Sequence, residues 1–418
     1  PSRGFILPIN ASNAVKSEII TAKQKGECEK DMRFSIDGQY LSKEQVMILD
    51  VLANNDWKRA VYFSSPAGSE VAMSLLQTGH LQQNGMAWEV SPIRSRDGIN
   101  GDRMYKHLME TYSYGKMSNP DVLTDYYARR QTSQFRSQFA QLADYYLNKA
   151  MQEEQNKVQY TSIAANMRAG GESRRADSLI NSLKGADERI RDYKQRAIKL
   201  VHRSLDVMPL DNVIDYGEPQ GSKRKIKGPD GTEYVAYQDG TVHDYVTMLY
   251  RAGDKKGAEK LGMDVADDLE SIINFFLNSD PDRAGRNIED FSSAVSNYMS
   301  IYTIVNDRQF GDPNSKLTSR VNKMVDKLYG SELPKLYKAL QEKAAENGES
   351  MRRGTDGYYT NYYFEVQGNM DGIGIERGVI EAPMPTAPQP TQPGAQLPNQ
   401  EMVLPEESQP GPSDSVNG

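Results

Sequence analysis

Between positions 121 and 345 apolar residues return at three- and four-residue intervals with few breaks. That recurrence commits the larger part of this 418-residue chain to packed helices. Over 123–150 the residues Tyr126, Tyr127, Phe135, Phe139, Leu142, Ala143 and Tyr146 form one apolar stripe on a long helix or a pair of helices. The same spacing predicts helices over 157–167, 173–206, 242–251, 255–278, 288–305 and 316–345. Among them Gly228-Pro229-Asp230-Gly231 is a turn signal between two short strand-like runs, so a β-hairpin is expected near 220–238.

Residues 1–115 follow a different rhythm. The run 5–9 is apolar but broken by Pro8, and 32–36 alternates apolar with polar as a half-buried strand does. Ser42 followed by Gln45 makes a capping box, and the apolar run 46–53 behind it predicts a buried helix. A short buried strand at 60–63, a helix at 70–78 and a third strand at 86–90 complete an alternation that favours a small parallel or mixed sheet. The fold class is therefore α+β: a small mixed α/β N-terminal domain (1–115), then a mostly α-helical array (116–350). A Tyr-rich terminal segment (351–382) follows, and then a Pro-, Gln- and Ser-rich tail (383–418) too poor in apolar residues to fold.

Charge and composition narrow the function classes. A net charge of −7 disfavours a general nucleic-acid binder, which needs a basic surface. No window approaches the roughly 18 consecutive apolar residues of a membrane helix, so this stretch is expected to be soluble by itself. The single cysteine, Cys28, cannot close an internal disulfide, and none of the four histidines has a partner at zinc-ligand spacing. The P-loop, nucleophile-elbow, zincin and dinucleotide fingerprints are all missing, so neither a cofactor nor a metal is expected.

Ala197 to Pro209 carries a small residue at its start, Ser204 two turns on, and a terminating proline. This is the second-helix pattern of a tetratricopeptide unit. The turn Ala252-Gly253-Asp254 before Ala258, and Ala169-Gly170-Gly171 before Ala176, repeat the idea, so the helical array is read as tetratricopeptide-like. An alanine-spaced helix ending in proline also occurs in many other helical proteins.

Several stretches occur together in a recognisable order. They are the run 40–63 with its Asn54-Asn55-Asp56-Trp57-Lys58-Arg59, then Gly85-Met86-Ala87-Trp88-Glu89-Val90-Ser91-Pro92-Ile93, and Gly115-Lys116-Met117. Asp125-Tyr126-Tyr127 with Arg129-Arg130, and Leu205-Asp206-Val207-Met208-Pro209, follow. Over roughly 4–275, with an insertion near 150–195, this resembles the C-terminal portion of a Bacteroidota family of multi-spanning membrane proteins. That family is related to protein O-mannosyltransferases. The chain departs from it at Ala60, where the family has proline. The resemblance implies a periplasmic domain following the last membrane helix, with its own membrane part as partner and periplasmic acceptor proteins or glycan as further partners. The membrane portion that resembles lipid-sugar-dependent glycosyltransferases lies outside this sequence, so no catalytic residue carries over and the chain is expected not to be an enzyme itself. An independent envelope scaffold, and an enzyme housed in the α/β region, are the competing readings.

Candidate ligand contacts follow from residue type and place. Trp57 sits in a helix-to-strand loop that could hold a ligand, or acts as a wedge over the core. Arg94, Arg96 and Asp102, with Asp97 and Asn100, lie in a polar loop after a strand, where α/β sheets bind ligands and where solvated loops look alike. Tyr126, Arg129 and Arg130 mix aromatic and guanidinium groups suited to stacking on sugar or peptide, or form the charged face of a packed helix. Tyr359 and Tyr362 belong to a tyrosine cluster that either stacks on carbohydrate or seals the helical array as an aromatic strand.

Overall fold

The computed structural model describes residues 2–38, 40–119, 121–122, 126–209, 224–227, 233–236 and 242–381. The expected Pro-rich tail and the Gly228-Pro229-Asp230-Gly231 turn lie outside these residues. So do the side chains of Tyr126, Arg129 and Arg130.

β1 (Ser2–Pro8) and β2 (Asp31–Asp37) pair antiparallel, with Phe5 opposite Phe34 and their rings stacked at 5.6 Å. Alternation decides which face is inward: Met32, Phe34 and Ile36 are buried, and the residues between them look outward. Between the strands run α1 (Ala11–Lys16) and a 3-10 turn. α2 (Lys43–Asn54) begins at the expected capping box: the Gln45 amide donates to Ser42 Oγ, and the Ser42 amide donates to the Gln45 carboxamide. α3 (Glu70–Gln77) packs on β2, where the Ser74 hydroxyl donates to the Ser35 carbonyl at 2.6 Å.

A second sheet holds β3 (Tyr62–Phe63), β4 (Leu81–Gln83) and β5 (Trp88–Val90) in the order β3-β5-β4, antiparallel throughout. The expectation of a parallel or mixed sheet is thus corrected. β3 and β4 do run the same way across α3, but the tight turn closed by Asn84 N–H on the Ala87 carbonyl feeds β5 back between them. Among the described residues, parallel pairing survives only in the isolated bridge between Gln83 and Ile99. Two further expectations fail: α2 contains no buried residue, and β3 is half-buried to exposed rather than buried.

α4 (Gly101–Lys106) widens into a π turn at His107–Thr111 and leads toward α5 (Tyr126–Ala169), which is one unbroken helix. α6 (Ser173–Ser182) and α7 (Ala186–Val207) return along it. Arg168 pairs with Asp177, Lys157 with Asp187, Arg189 with Glu153 and Lys194 with Glu154, a series whose opposing numbers require antiparallel packing. β6 (Arg224–Lys227) and β7 (Glu233–Ala236) form the expected antiparallel pair.

α8 (Val242–Ala252) and α9 (Lys255–Leu277) make a hairpin. Gly253 adopts the left-handed conformation its turn requires, and Asp254 caps α9 by accepting from Gly257 N–H. α10 (Pro281–Arg286), α11 (Ile288–Val305), α12 (Lys316–Lys327), α13 (Leu333–Glu346) and α14 (Tyr358–Glu376) complete the array. The Tyr-rich segment is helical, not an aromatic strand. Its first amides, Tyr359 and Thr360, donate to the Glu349 carboxylate, which caps α14 from the preceding loop.

Two apolar cores result. The smaller gathers Ala14, Met32, Phe34, Trp57, Leu75 and Leu81; the larger starts at Met104 and Leu108 and runs through the helices to Met370. Inside the larger, Tyr245 of α8 donates to the Arg136 carbonyl of α5 and bonds Ser204 of α7 at 2.8 Å, while Arg136 donates to the Met208 carbonyl. No helix among the described residues is long and apolar enough to cross a membrane.

Candidate functional site

Where the small domain meets the helices, a cleft of about 1250 Å³ opens between the segment after β3, strand β4, helix α5 and helix α8. That volume exceeds the usual span of small-molecule sites, roughly 300–1,000 Å³. The floor is α5. Positions 134, 138, 141, 145, 148 and 152 recur at alternating steps of four and three and so fall on one stripe of the helix. They read Gln134, Gln138, Gln141, Tyr145, Asn148 and Gln152, and all of them line the cleft. The neighbouring stripe of the same helix, with Phe139, Leu142, Ala143 and Tyr146, faces the core.

The first wall is held by β4, which is buried although its sequence reads Leu81-Gln82-Gln83. Its carboxamides are used as ties: Gln82 donates to the Ile93 carbonyl and Gln83 to the Gln138 side chain, both at 2.6 Å. Gln83 is only 5% exposed, and its Oε1 accepts no hydrogen bond. Behind β4, Glu89 is a buried carboxylate held by Arg103 Nη1 at 2.5 and 2.6 Å, by the Tyr62 hydroxyl and by the Asn84 amide. Burial, with Glu89 beside it, pushes the Tyr62 phenol up to about 12. Gly101 admits Tyr145 against the start of α4, where any Cβ would strike the ring.

Four of the five charged side chains in the cleft are paired with each other, and the fifth, Asp244, lies 3.5 Å from His243. Lys149 reaches Asp97 at 2.6 Å, and that hydrogen bond holds its ammonium above the ordinary lysine value. Arg251 of α8 donates to Asp144 at 2.8 Å and to the Asn148 oxygen at 2.9 Å. Lys149 also lies over the Tyr145 ring, 5.5 Å from its centroid. What remains open to a ligand is amide chemistry: Gln134, Gln141 and Gln152 make no hydrogen bond among the described residues. Such groups can bind and orient a ligand. No group of three or more potential metal ligands occurs among the described residues.

The ligand contacts expected from the sequence do not gather here. Trp57 is a core wedge: it is 8% exposed, its indole N–H donates to the Pro8 carbonyl at 3.1 Å, and the void beside it is only about 10 Å³. Arg94 pairs with Glu29 at 3.2 Å and Arg96 is exposed, both away from the cleft, although Asp97 of the same loop does line it. Asp102 pairs with Arg196 of α7 at 2.7 Å, and the guanidinium stacks over Tyr105 and Tyr146, so this group joins the two parts of the chain. Tyr359 and Tyr362 sit on α14, with Lys343 over the Tyr359 ring and Tyr362 pressed on Gly285, far along the array. The side chains of Tyr126, Arg129 and Arg130 lie outside the described residues. The carboxamide stripe was visible in the sequence as Gln and Asn at helical spacing beside the apolar stripe, but polar helix faces are ordinarily solvated and carry no flag.

Among protein families, residues 1–108 match the model for TMEM260-associated domain 2. The match covers the two sheets of the small domain, α4 and the first wall of the cleft, and it is consistent with the membrane-protein resemblance carried by the sequence motifs. No curated protein and no solved structure matches the chain.

Proposed function

We propose that this chain is the non-catalytic accessory region of a membrane glycosyltransferase-like protein, working at the periplasmic face. There it braces the membrane part and holds an acceptor beside it. The observation that carries this reading is α2, inside the family-matched region. Ile48, Leu49 and Leu52 rest on the small core, yet Val46, Met47 and Val51 are turned to solvent, Met47 with 69% of its surface exposed. Tyr40 just before the helix is also exposed. An apolar ridge left uncovered by the described residues suits contact with another protein surface. The stacked helical pairs that follow are read as a tetratricopeptide-like holder, and the cleft with its internally paired charges suits retention rather than turnover.

The test is capture of the detergent-solubilised membrane portion by the full chain, with and without Met47→Lys and Val51→Lys together. Surface changes of this kind leave stability within about 0.5 kcal/mol. Capture by the native chain and its loss in the double variant is the expected result. Undiminished capture by the variant removes the bracing role, and turnover of a lipid-linked sugar by the chain alone removes the accessory one.

A further inference from the structure

We infer that the cleft binds a polypeptide segment in extended conformation and reads its backbone rather than its side chains. Binding at this place rests on the accessory reading only for why an acceptor chain would be at hand; the geometry argues for itself.

The α5 stripe from Gln134 to Gln152 spans 18 residues, or about 27 Å at 1.5 Å per residue. An extended segment at roughly 3.3 Å per residue would lay about eight residues along it. A carboxamide presents one N–H donor edge and one carbonyl acceptor, the same pair that a peptide unit presents. Gln134, Gln141 and Gln152 are exposed to the cleft with those groups uncommitted among the described residues. An extended peptide carries such pairs on alternating sides along its whole length, whatever its sequence, and they require partners once water is displaced. On the facing wall the Gln83 amide is already tied to Gln138, so the free carboxamides are those of α5 itself.

The alternative occupant of an amide-lined cleft is an oligosaccharide, and the structure favours the peptide. Sugar sites usually present an open aromatic face. Of the two aromatic side chains that line the cleft, Tyr145 is covered in one part by Lys149 and crowded in another by Gly101, and Trp88 is half-buried against the small core. The closed pairs Lys149–Asp97 and Arg251–Asp144 leave no dominant charge, which suits an uncharged backbone better than an acidic or basic side-chain motif.

The experiment titrates the full chain with a fluorescein-labelled twelve-residue peptide of Ser, Thr, Ala and Gly, following anisotropy. Three further probes are a scrambled version, the same peptide with alternate backbone nitrogens methylated, and a labelled mannose oligosaccharide. The chain variants are Gln141→Ala and Gln152→Ala, whose exposure makes misfolding no concern. The expected result is equal binding of the two ordinary peptides and loss with the methylated one. Each exposed carboxamide removed should weaken binding about threefold to tenfold, the range of a single hydrogen bond.

Peptide binding that survives methylation, or is indifferent to Gln141→Ala and Gln152→Ala, overturns the proposal. Oligosaccharide binding that is sensitive to those variants overturns the peptide assignment while leaving the holding role of the chain intact. No binding of any probe, alongside normal capture of the membrane portion, overturns the cleft as a site but not the bracing role.

Discussion

At the scale of single residues, the small domain spends its polar groups in unusual places. Glu89 is 2% exposed, and its charge is balanced by Arg103, which also donates to the Glu18 and Ile19 carbonyls and so pins the loop after α1. Removing one member of a buried pair leaves the other uncompensated. Glu89→Ala is therefore expected to destabilise the chain by about 3–5 kcal/mol, with Glu89→Leu/Arg103→Leu recovering part of that loss, measured by urea unfolding. A loss in the double variant equal to the sum of the two single-variant losses would show that the pair is not coupled.

His80 is fully buried, with Nδ1 on the Ser91 carbonyl at 3.0 Å, and burial lowers its basicity despite Glu29 at 3.8 Å; Arg94 acts in the same direction as burial. The folded state then binds a proton less readily than the unfolded chain. The stability this contributes is present above the unfolded histidine value of about 6.5 and is lost as pH falls from there toward the folded value. In His80→Gln the unfolding free energy should fall less between pH 6.5 and 5 than in the native chain. An unchanged slope would mean that another group sets the acid limb.

At the scale of elements, legibility followed apolar periodicity and stopped where polarity and burial part company. α11 was readable to the residue and α9 to within one, because both bury a continuous apolar stripe, from Ile288 to Val305 and from Ala258 to Phe276. β4 was missed because Gln82 and Gln83 look like loop residues. Only the structure shows that they tie the Ile93 carbonyl and Gln138. α2 was misjudged in the opposite sense, since an apolar run says that surface will be covered and not by what. The Tyr358–Phe364 cluster read as strand because aromatics favour strands; a carboxylate cap from Glu349 and packing of Val366 and Met370 against the array decided for helix. The cleft was legible only in parts: Asp97 by its loop position, and the α5 amides as an ordinary polar helix face, which acquires meaning only when a second element stands opposite it.

At the scale of the whole molecule, the junction is built so that sequence similarity and packing divide the chain differently. The family match runs to residue 108, but Met104 and Leu108, both fully buried, belong to the larger core with Phe139, Ala197 and Leu200. The segment between α3 and α4 is tied across by Lys149–Asp97 and Gln83–Gln138, and α4 itself by Arg196–Asp102. The helical part therefore needs α4 more than the sheet domain does. A fragment of residues 98–381 should unfold in one cooperative transition, whereas 112–381 lacks two buried side chains, each of which costs about 2–5 kcal/mol when truncated in a packed core. The shorter fragment should accordingly melt well below the longer one in calorimetry. Equal melting temperatures would place α4 with the sheet domain and would detach the cleft's two walls from a common frame.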